Sequence, residues 1–221
     1  MNIKKNVMVG EIATAVPGAV QVFQELKIDF CCGGKNLLAD ALSEHGVSVE
    51  EFLTHANARA AERREGVENQ DFAQMSPAVL TTYIEDTHHE YLRRMLPEID
   101  ELLVKVLKAH GRNHSELFEV YKLFGRLNSE LTQHLVKEET LLFPALAQGV
   151  SPAEGLAAEI VGEHEGAGEL LEVMRSATFD YKVPEDACAT YRRVYQLLPD
   201  LEGDLHQHIH LENNILLRGL R

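Results

Sequence analysis

The sequence has 221 residues, 45% of them hydrophobic, which is enough for one large domain or for a small domain joined to a medium one. Its 35 acidic residues outnumber the 21 basic ones and give a formal net charge of -14. Because no block of Lys and Arg is present, this balance argues against nucleic acid or an anionic membrane as a partner, and it suits a protein that handles cations.

The N-terminus does not have the pattern of a signal peptide, because Glu11 interrupts its apolar stretch. No run approaches the roughly 20 apolar residues that a transmembrane helix requires. The three cysteines, two of which are adjacent, cannot form a disulfide framework and indicate a reducing compartment. We therefore expect a cytoplasmic protein with no membrane partner.

The first part of the chain has the pattern of short helices with frequent interruptions. Gly33-Gly34 separates two of them, Gly46 ends another, and Ser48 with Glu51 forms a capping box for the next. The stretch AERREGVEN at 61–69 is polar and lacks apolar periodicity. We predict a small helical domain over 1–65 and a linker region over 66–75.

Four long helical segments follow, and together they predict an all-α bundle over 76–221. Their predicted starts are at Ser76-Pro77, Ser115, Ser151-Pro152 and Pro184, and the first three end near Gly111, Gly149 and Ser176. Short loops between long helices are typical of an antiparallel four-helix bundle. Kinks or local breaks are expected at the internal prolines Pro97, Pro144 and Pro199.

Two of these helices carry a histidine and a glutamate four residues apart within an apolar stripe. His134 and Glu138 interrupt one stripe of leucines, and His208 and Glu212 interrupt another. Residues at i and i+4 share a helix face, with Cβ atoms roughly 6 Å apart, so one metal or a close pair can contact both. A buried carboxylate costs several kcal/mol without a compensating charge, which favours a shared cation over a metal-free, hydrogen-bonded polar core.

The other two helices each add a histidine to an apolar stripe. His164 lies in the stripe of the third helix. In the first helix, His89 and His88 lie on rival faces, and the pattern alone leaves the choice open. The longer stripe favours His89. The remaining histidines near these positions, His88, His206 and His210, are expected at the surface or beside the ligands.

Four histidines and two glutamates suit two metal ions, each with two imidazoles and both bridging carboxylates. Octahedral iron would then have room for an oxo or hydroxo bridge and one open position for O2 or NO, whereas zinc more often takes thiolates and magnesium avoids imidazole. Manganese stays an alternative. The repeated His-x-x-x-Glu order differs from the Glu-x-x-His order of ferritin-like proteins, and it resembles the hemerythrin class.

Longer segments extend the resemblance over essentially the whole chain. They are DFCCGGKNLLADA at 29–41, HLVKEETLLFPAL at 134–146, EHEGAGELLEVM at 163–174 and HIHLENNIL at 208–216. Together they resemble the repair-of-iron-centres family, the YtfE, ScdA and DnrN proteins. One departure is Leu216-Leu217-Arg218, where that family usually has Leu-Phe-Pro.

This resemblance implies a hemerythrin-like di-iron bundle that repairs iron-sulfur clusters damaged by nitrosative or oxidative stress. In that family the first ligand stands eight residues before a proline that corresponds to Pro97, which selects His89. The implied ligands are His89, His134, Glu138, His164, His208 and Glu212. The implied partners are damaged iron-sulfur proteins, with NO or O2 as small ligands. Two alternatives are an enzyme that reduces NO and a sensor that binds O2 or NO. Whether the chain forms a homodimer is left open.

Cys31 and Cys32 are the candidate reactive thiols of the small domain. They precede a helix and Lys35, which would favour thiolate, and the family resemblance favours redox, NO or iron-transfer chemistry over simple packing. Cys188 is expected to be structural. Glu130 and Glu163 are close to ligand histidines in sequence, but a solvated helix face is the more ordinary expectation for each.

Overall fold

The computed structural model describes residues 6–16, 18–62 and 71–220, and helices joined by turns and loops are the regular structure of those ranges, with one isolated bridge between Met8 and Leu37. This confirms the all-α prediction. The polar stretch predicted as part of a linker, 61–69, lies mostly outside the described residues. No helix within the described ranges is long and apolar enough to cross a membrane.

The first helices are short, as predicted. They are α1 (Val9–Ala15), α2 (Ala19–Leu26), α3 (Leu38–Glu44) and α4 (Val49–Glu62), with a 3-10 turn at Gly33–Lys35. The predicted capping box of α4 is confirmed, since the Glu51 carboxylate accepts from the backbone N–H of Ser48 at 2.9 Å and the Glu51 N–H donates to the Ser48 hydroxyl at 3.2 Å.

The long segments follow as α5 (Pro77–Ile84), α6 (Glu90–His110), α7 (Glu116–Lys137), α8 (Phe143–Ala147), α9 (Leu156–Ala177) and α10 (Ala189–Leu211). Three five-residue π turns extend or join them, at Glu85–His89, Glu138–Leu142 and Glu212–Leu216. A π turn interrupts the α-helix just before Pro144, where a local break was predicted. The helices α6 and α10 continue through Pro97 and Pro199 without a break.

The predicted starts of the third and fourth long helices are wrong by several residues. Gly155 has φ of +81° and forms the N-cap of α9, so residues 151–155 precede the helix and do not form its first turn. The fourth helix begins at Ala189, not at Pro184, because Phe179 to Tyr181 adopt left-handed backbone angles and residues 182–188 remain non-helical.

Internal contacts divide the chain into two compact units. The first consists of Met1–Leu80 with His206–Arg221, and its core includes the stacked rings of Phe23, Phe30 and Phe52. The second is Thr81–Leu205, whose core is formed by apolar residues of α6, α7, α9 and the first part of α10. In the second unit His88 pairs with Asp204 and Glu98 with Arg193, which is the pairing of antiparallel helices.

Candidate metal centre

Each π turn holds at least one predicted metal ligand. His89 is the last residue of the first turn, while Glu138 and Glu212 open the second and third. The wider turn is defined by a hydrogen bond to the carbonyl five residues earlier, as from Leu217 N–H to Glu212 O at 2.8 Å. Such turns are rare and are often found at functional sites. Sequence periodicity did not reveal them, although Pro144, whose ring would clash with the carbonyl four residues earlier, is a local signal for the second.

Three histidines of the second unit direct Nε2 towards the Glu138 carboxylate. His89 Nε2 lies 3.4 Å from Oε2, His134 Nε2 lies 3.3 Å from Oε1, and His164 Nε2 lies 3.9 Å from Oε1. All four side chains are buried, with Glu138 fully enclosed. The two oxygens of Glu138 therefore face different histidines.

Two further carboxylates hold the opposite nitrogens of these rings. His89 Nδ1 lies 2.6 Å from Glu139 Oε1, and His134 Nδ1 lies 2.8 Å from Glu163 Oε2. Since a carboxylate accepts, each Nδ1–H donates, and the Nε2 atom of each ring faces Glu138. A cation between these Nε2 atoms and the Glu138 carboxylate would have both as donors, and carboxylates that hold Nδ1 are the usual neighbours of metal-bound histidines. The donor set therefore fits a metal.

Each of the two carboxylates that contact a histidine Nδ1 also forms an ion pair with a basic side chain. Arg93 pairs with Glu139, and Lys137 pairs with Glu163. Burial alone would raise the pKa of Glu163, but hydrogen bonds from Lys137 and His134 lower it overall, so this carboxyl is held ionised. Glu163 thus holds the ring of the predicted ligand His134, unlike the solvated residue that was the more ordinary expectation from sequence. Glu139 was not predicted, since its contact with His89 joins different helices, and its only sequence signal is its place beside Glu138.

The second predicted His/Glu pair lies in the first unit. His208 Nε2 is 3.1 Å from Glu212 Oε1, and both side chains are buried. This contact confirms that the spacing of four residues places the imidazole and the carboxylate on one helix face. The pair repeats the relation between His134 and Glu138 in the second unit.

Two of the histidines expected at the surface or beside the ligands are buried, and Glu130 is exposed as expected. His88 is buried and pairs with Asp204 at 3.0 Å, and His210 is buried with its Nδ1 3.3 Å from the Phe30 carbonyl, so neither is a surface residue. Burial lowers the pKa of His210 to about 4. Glu130 pairs instead with Arg126 on an exposed helix face, as the ordinary expectation had it.

Comparison with known proteins accounts for both parts of the chain. Residues 80–220 match the Hemerythrin HHE cation binding domain, and residues 5–60 match a Domain of Unknown function (DUF542). The chain is 31% identical to the iron-sulfur cluster repair protein ScdA of Staphylococcus epidermidis, with 98% of each chain covered. It is 33% identical to the iron-sulfur cluster repair protein YtfE of Yersinia pseudotuberculosis, again over 98% of each, and 34% identical to YtfE of Pectobacterium carotovorum, over 96% of each.

The chain belongs to the ScdA and YtfE family. This confirms the resemblance drawn from the four sequence segments. The hemerythrin HHE match spans all six predicted ligands, and the buried histidine and glutamate clusters indicate that the domain binds metal. The DUF542 match contains Cys31 and Cys32.

Asp29 organises the DUF542 cysteine loop. Its Oδ1 accepts from the backbone N–H groups of Cys31 and Cys32, each at 2.9 Å, and its Oδ2 accepts from Gly33 N–H at 2.7 Å. On the other side of the loop, Asn214 Nδ2 donates to the carbonyls of Phe30 and Cys31 at 3.2 and 3.0 Å. The loop is therefore held by a carboxylate from its own chain segment and by an amide from the C-terminal segment.

The expectation that both cysteines favour thiolate is wrong for Cys31. Its side chain is buried, and the pKa of its thiol is raised well above the usual value by the neighbouring Cys32 sulfur, by burial and by the Asp29 carboxylate. The prediction was based on the helix N-terminus and Lys35, which would lower the thiol pKa. The neighbours of Cys31 outweigh that effect. Cys188 is also unlike its prediction, since it is exposed and lies just before α10, so it has no packing role in the core.

Proposed function

We propose that this ScdA and YtfE family member is a di-iron protein that repairs iron-sulfur clusters damaged by nitrosative or oxidative stress. The observation that carries the proposal is Glu138, enclosed by three histidines of which two are fixed through Nδ1 by outer carboxylates. The repair function is proposed by analogy with relatives that cover nearly the whole chain and are named iron-sulfur cluster repair proteins.

The proposed ligands are His89, His134, Glu138, His164, His208 and Glu212, with both glutamates as bridges. The division of Glu138 Oε1 and Oε2 between His134 and His89 supports bridging by this residue. The role of the last pair is proposed from the apolar stripe and from the extent of the HHE match. Iron, when bound, supplies redox chemistry and open positions for NO or O2. We propose a cytoplasmic location because the three cysteines are all free thiols.

The first test concerns the metal. Glu138→Ala and Glu212→Ala should each lower bound iron, because each carboxylate contributes to both ions, and His89→Ala should disturb the di-iron spectrum more than His88→Ala. His88→Ala is the matched control, since this neighbouring side chain is equally buried but pairs with Asp204. Iron analysis and Mössbauer spectra give the readout, and manganese is distinguished by the same analysis. Two irons per chain in both glutamate variants would contradict the assignment.

The second test concerns the reaction. Anaerobic incubation with a damaged iron-sulfur protein should restore its cluster, and the variants with lowered iron should fail in proportion to the iron lost. Changing both Cys31 and Cys32 to serine should preserve the di-iron spectrum and weaken repair, if these thiols take part in transfer. Full repair by that variant would leave the cysteines with a packing role, and loss of its iron would place the thiols at the metal centre.

Reduction of NO is the second candidate function, favoured by the burial of the centre. His89, His134, Glu138 and His164 are nearly inaccessible to solvent, which suits a diatomic ligand better than a bulky substrate. Catalytic formation of nitrous oxide from NO and a reductant, without any gain in client activity, would favour this enzyme over the repair protein. A spectral change without turnover would indicate a sensor.

A further inference from the structure

The cysteine loop contains a second group of metal-binding side chains, separate from the histidine and glutamate centre. One potential ligand atom from each of Asp29, Cys31 and Cys32 lies within 4.8 Å of the others. Adjacent residues of an extended strand point in opposite directions, but Cys32 has helical backbone angles, with φ of -80° and ψ of -42°. The loop therefore brings two neighbouring thiols to one side.

The sulfur positions match those on a tetrahedral ion. Cys31 Sγ and Cys32 Sγ are 3.9 Å apart. Two thiolates bound to one tetrahedral ion at about 2.3 Å have sulfur atoms about 3.8 Å apart, so both can bind without movement of the loop. The third donor is already close, since Asp29 Oδ1 lies 3.2 Å from Cys31 Sγ.

The loop is preorganised for such an ion. Three backbone N–H groups fix the Asp29 carboxylate, and Asn214 fixes the carbonyls of Phe30 and Cys31. Cys31 is buried, whereas Cys32 is partly accessible and Asp29 is exposed, so an ion can approach from the Asp29 side. Because these contacts already hold the loop, an ion is not needed to fold it.

We propose that Asp29, Cys31 and Cys32 form an exchangeable site for a thiophilic divalent cation such as Zn²⁺ or Fe²⁺. Two sulfur donors select a soft or borderline ion over Mg²⁺ or Ca²⁺. Three protein ligands leave the fourth tetrahedral position to water or to a donor from another molecule, which distinguishes the site from a closed structural one. Binding displaces one proton from each thiol and changes no oxidation state. The site does not depend on the proposed repair function.

Cobalt(II) is the probe for this site, because bands from sulfur-to-cobalt charge transfer report thiolate ligands and cannot arise from histidine or glutamate. The full-length, iron-loaded protein, kept reduced and anaerobic, is titrated with cobalt. We expect one strongly absorbing cobalt per chain with tetrahedral visible bands, and displacement of that cobalt by Zn²⁺. Cys31→Ser and Cys32→Ser should each abolish the two-sulfur spectrum, and Asp29→Asn should weaken binding at least tenfold.

Cys188→Ser is the matched control, since it removes the remaining thiol, which is exposed and distant in sequence from the loop. It should leave the cobalt spectrum unchanged. Absence of sulfur-to-cobalt bands in the wild type, or their persistence in both loop variants, would overturn the proposal. Iron content and helical circular dichroism are measured in parallel, because loss of the cobalt spectrum supports the proposal only where the loop variant retains both. Failure of cobalt binding with normal iron would refute this site and leave the di-iron proposal untouched.

Discussion

The hydrogen bonds from Asn214 to the cysteine loop contribute to the free energy that is needed to open this loop, and that contribution can be measured. Its Nδ2 donates two hydrogen bonds, to Phe30 O and Cys31 O. A Cβ added to Gly34 would lie 2.5 Å from Asn214 Oδ1, so we expect Gly34→Ala to displace the amide and break both bonds. At about 1 kcal/mol for each bond, the loss is about 2 kcal/mol, or about a 30-fold larger population of the open loop.

Alkylation of Cys31 measures this population, because the buried thiol reacts only when the loop opens. We expect Gly34→Ala and Asn214→Ala each to accelerate Cys31 alkylation about 30-fold, with peptide mass spectrometry as the readout. The exposed Cys188 of the same chain is the internal control and should react at its wild-type rate.

The double variant tests the physical reason. Both substitutions remove the same two hydrogen bonds, so their combination should accelerate Cys31 about as much as either alone. Multiplied effects, about 900-fold for two independent losses of the estimated size, would show that Gly34 acts through another contact. Wild-type rates in both single variants would show that Asn214 does not hold the loop.

Three other changes test separate contacts. Glu139→Ala should weaken metal binding about 10- to 100-fold in a chelator competition, because it frees the His89 ring, whereas Glu130→Ala should not. Asp186→Asn should lower the pKa of His114 in an NMR titration, since the hydrogen bond to Asp186 is the main cause of its raised value. In the wild type the contribution of that pair to stability should be lost as pH rises through the raised folded-state pKa of His114, and also as pH falls through the lowered pKa of Asp186. Gly125→Ala should stabilise α7 by about 1 kcal/mol in urea unfolding, because the added Cβ meets nothing within 4 Å other than the adjacent residues and the backbone of its own helix.

Apolar periodicity predicted the buried histidines and glutamates because their stripes are a property of single helices. It placed His134 with Glu138 and His208 with Glu212, and both contacts are present. It could not distinguish His89 from His88 by burial, since both are enclosed. The difference is in their partners, which lie on other helices and are invisible to a one-helix pattern.

Other features depend on contacts between segments distant in sequence. Glu139 reaches His89 from another helix, and Asn214 reaches the cysteine loop from the far end of the chain. Local features were missed as well. The raised pKa of Cys31 arises from the adjacent Cys32 sulfur, from burial and from Asp29, which outweigh the helix terminus that the sequence suggested. The late starts of α9 and α10 reflect left-handed backbone at Gly155 and at Phe179 to Tyr181 that residue preferences did not reveal.

The first compact unit is discontinuous in sequence, since it combines Met1–Leu80 with His206–Arg221. During synthesis the segment that supplies His210 and Asn214 leaves the ribosome after α1 to α4 and after the whole of the second unit. The cysteine loop therefore lacks its hydrogen bonds to His210 and Asn214 until that later segment has been made. Domains usually fold in the order in which they are made. Here the first unit can complete its fold only after the whole of the second unit has been synthesised. Until then, Cys31 and Cys32 lack the protection that these contacts give in the finished fold.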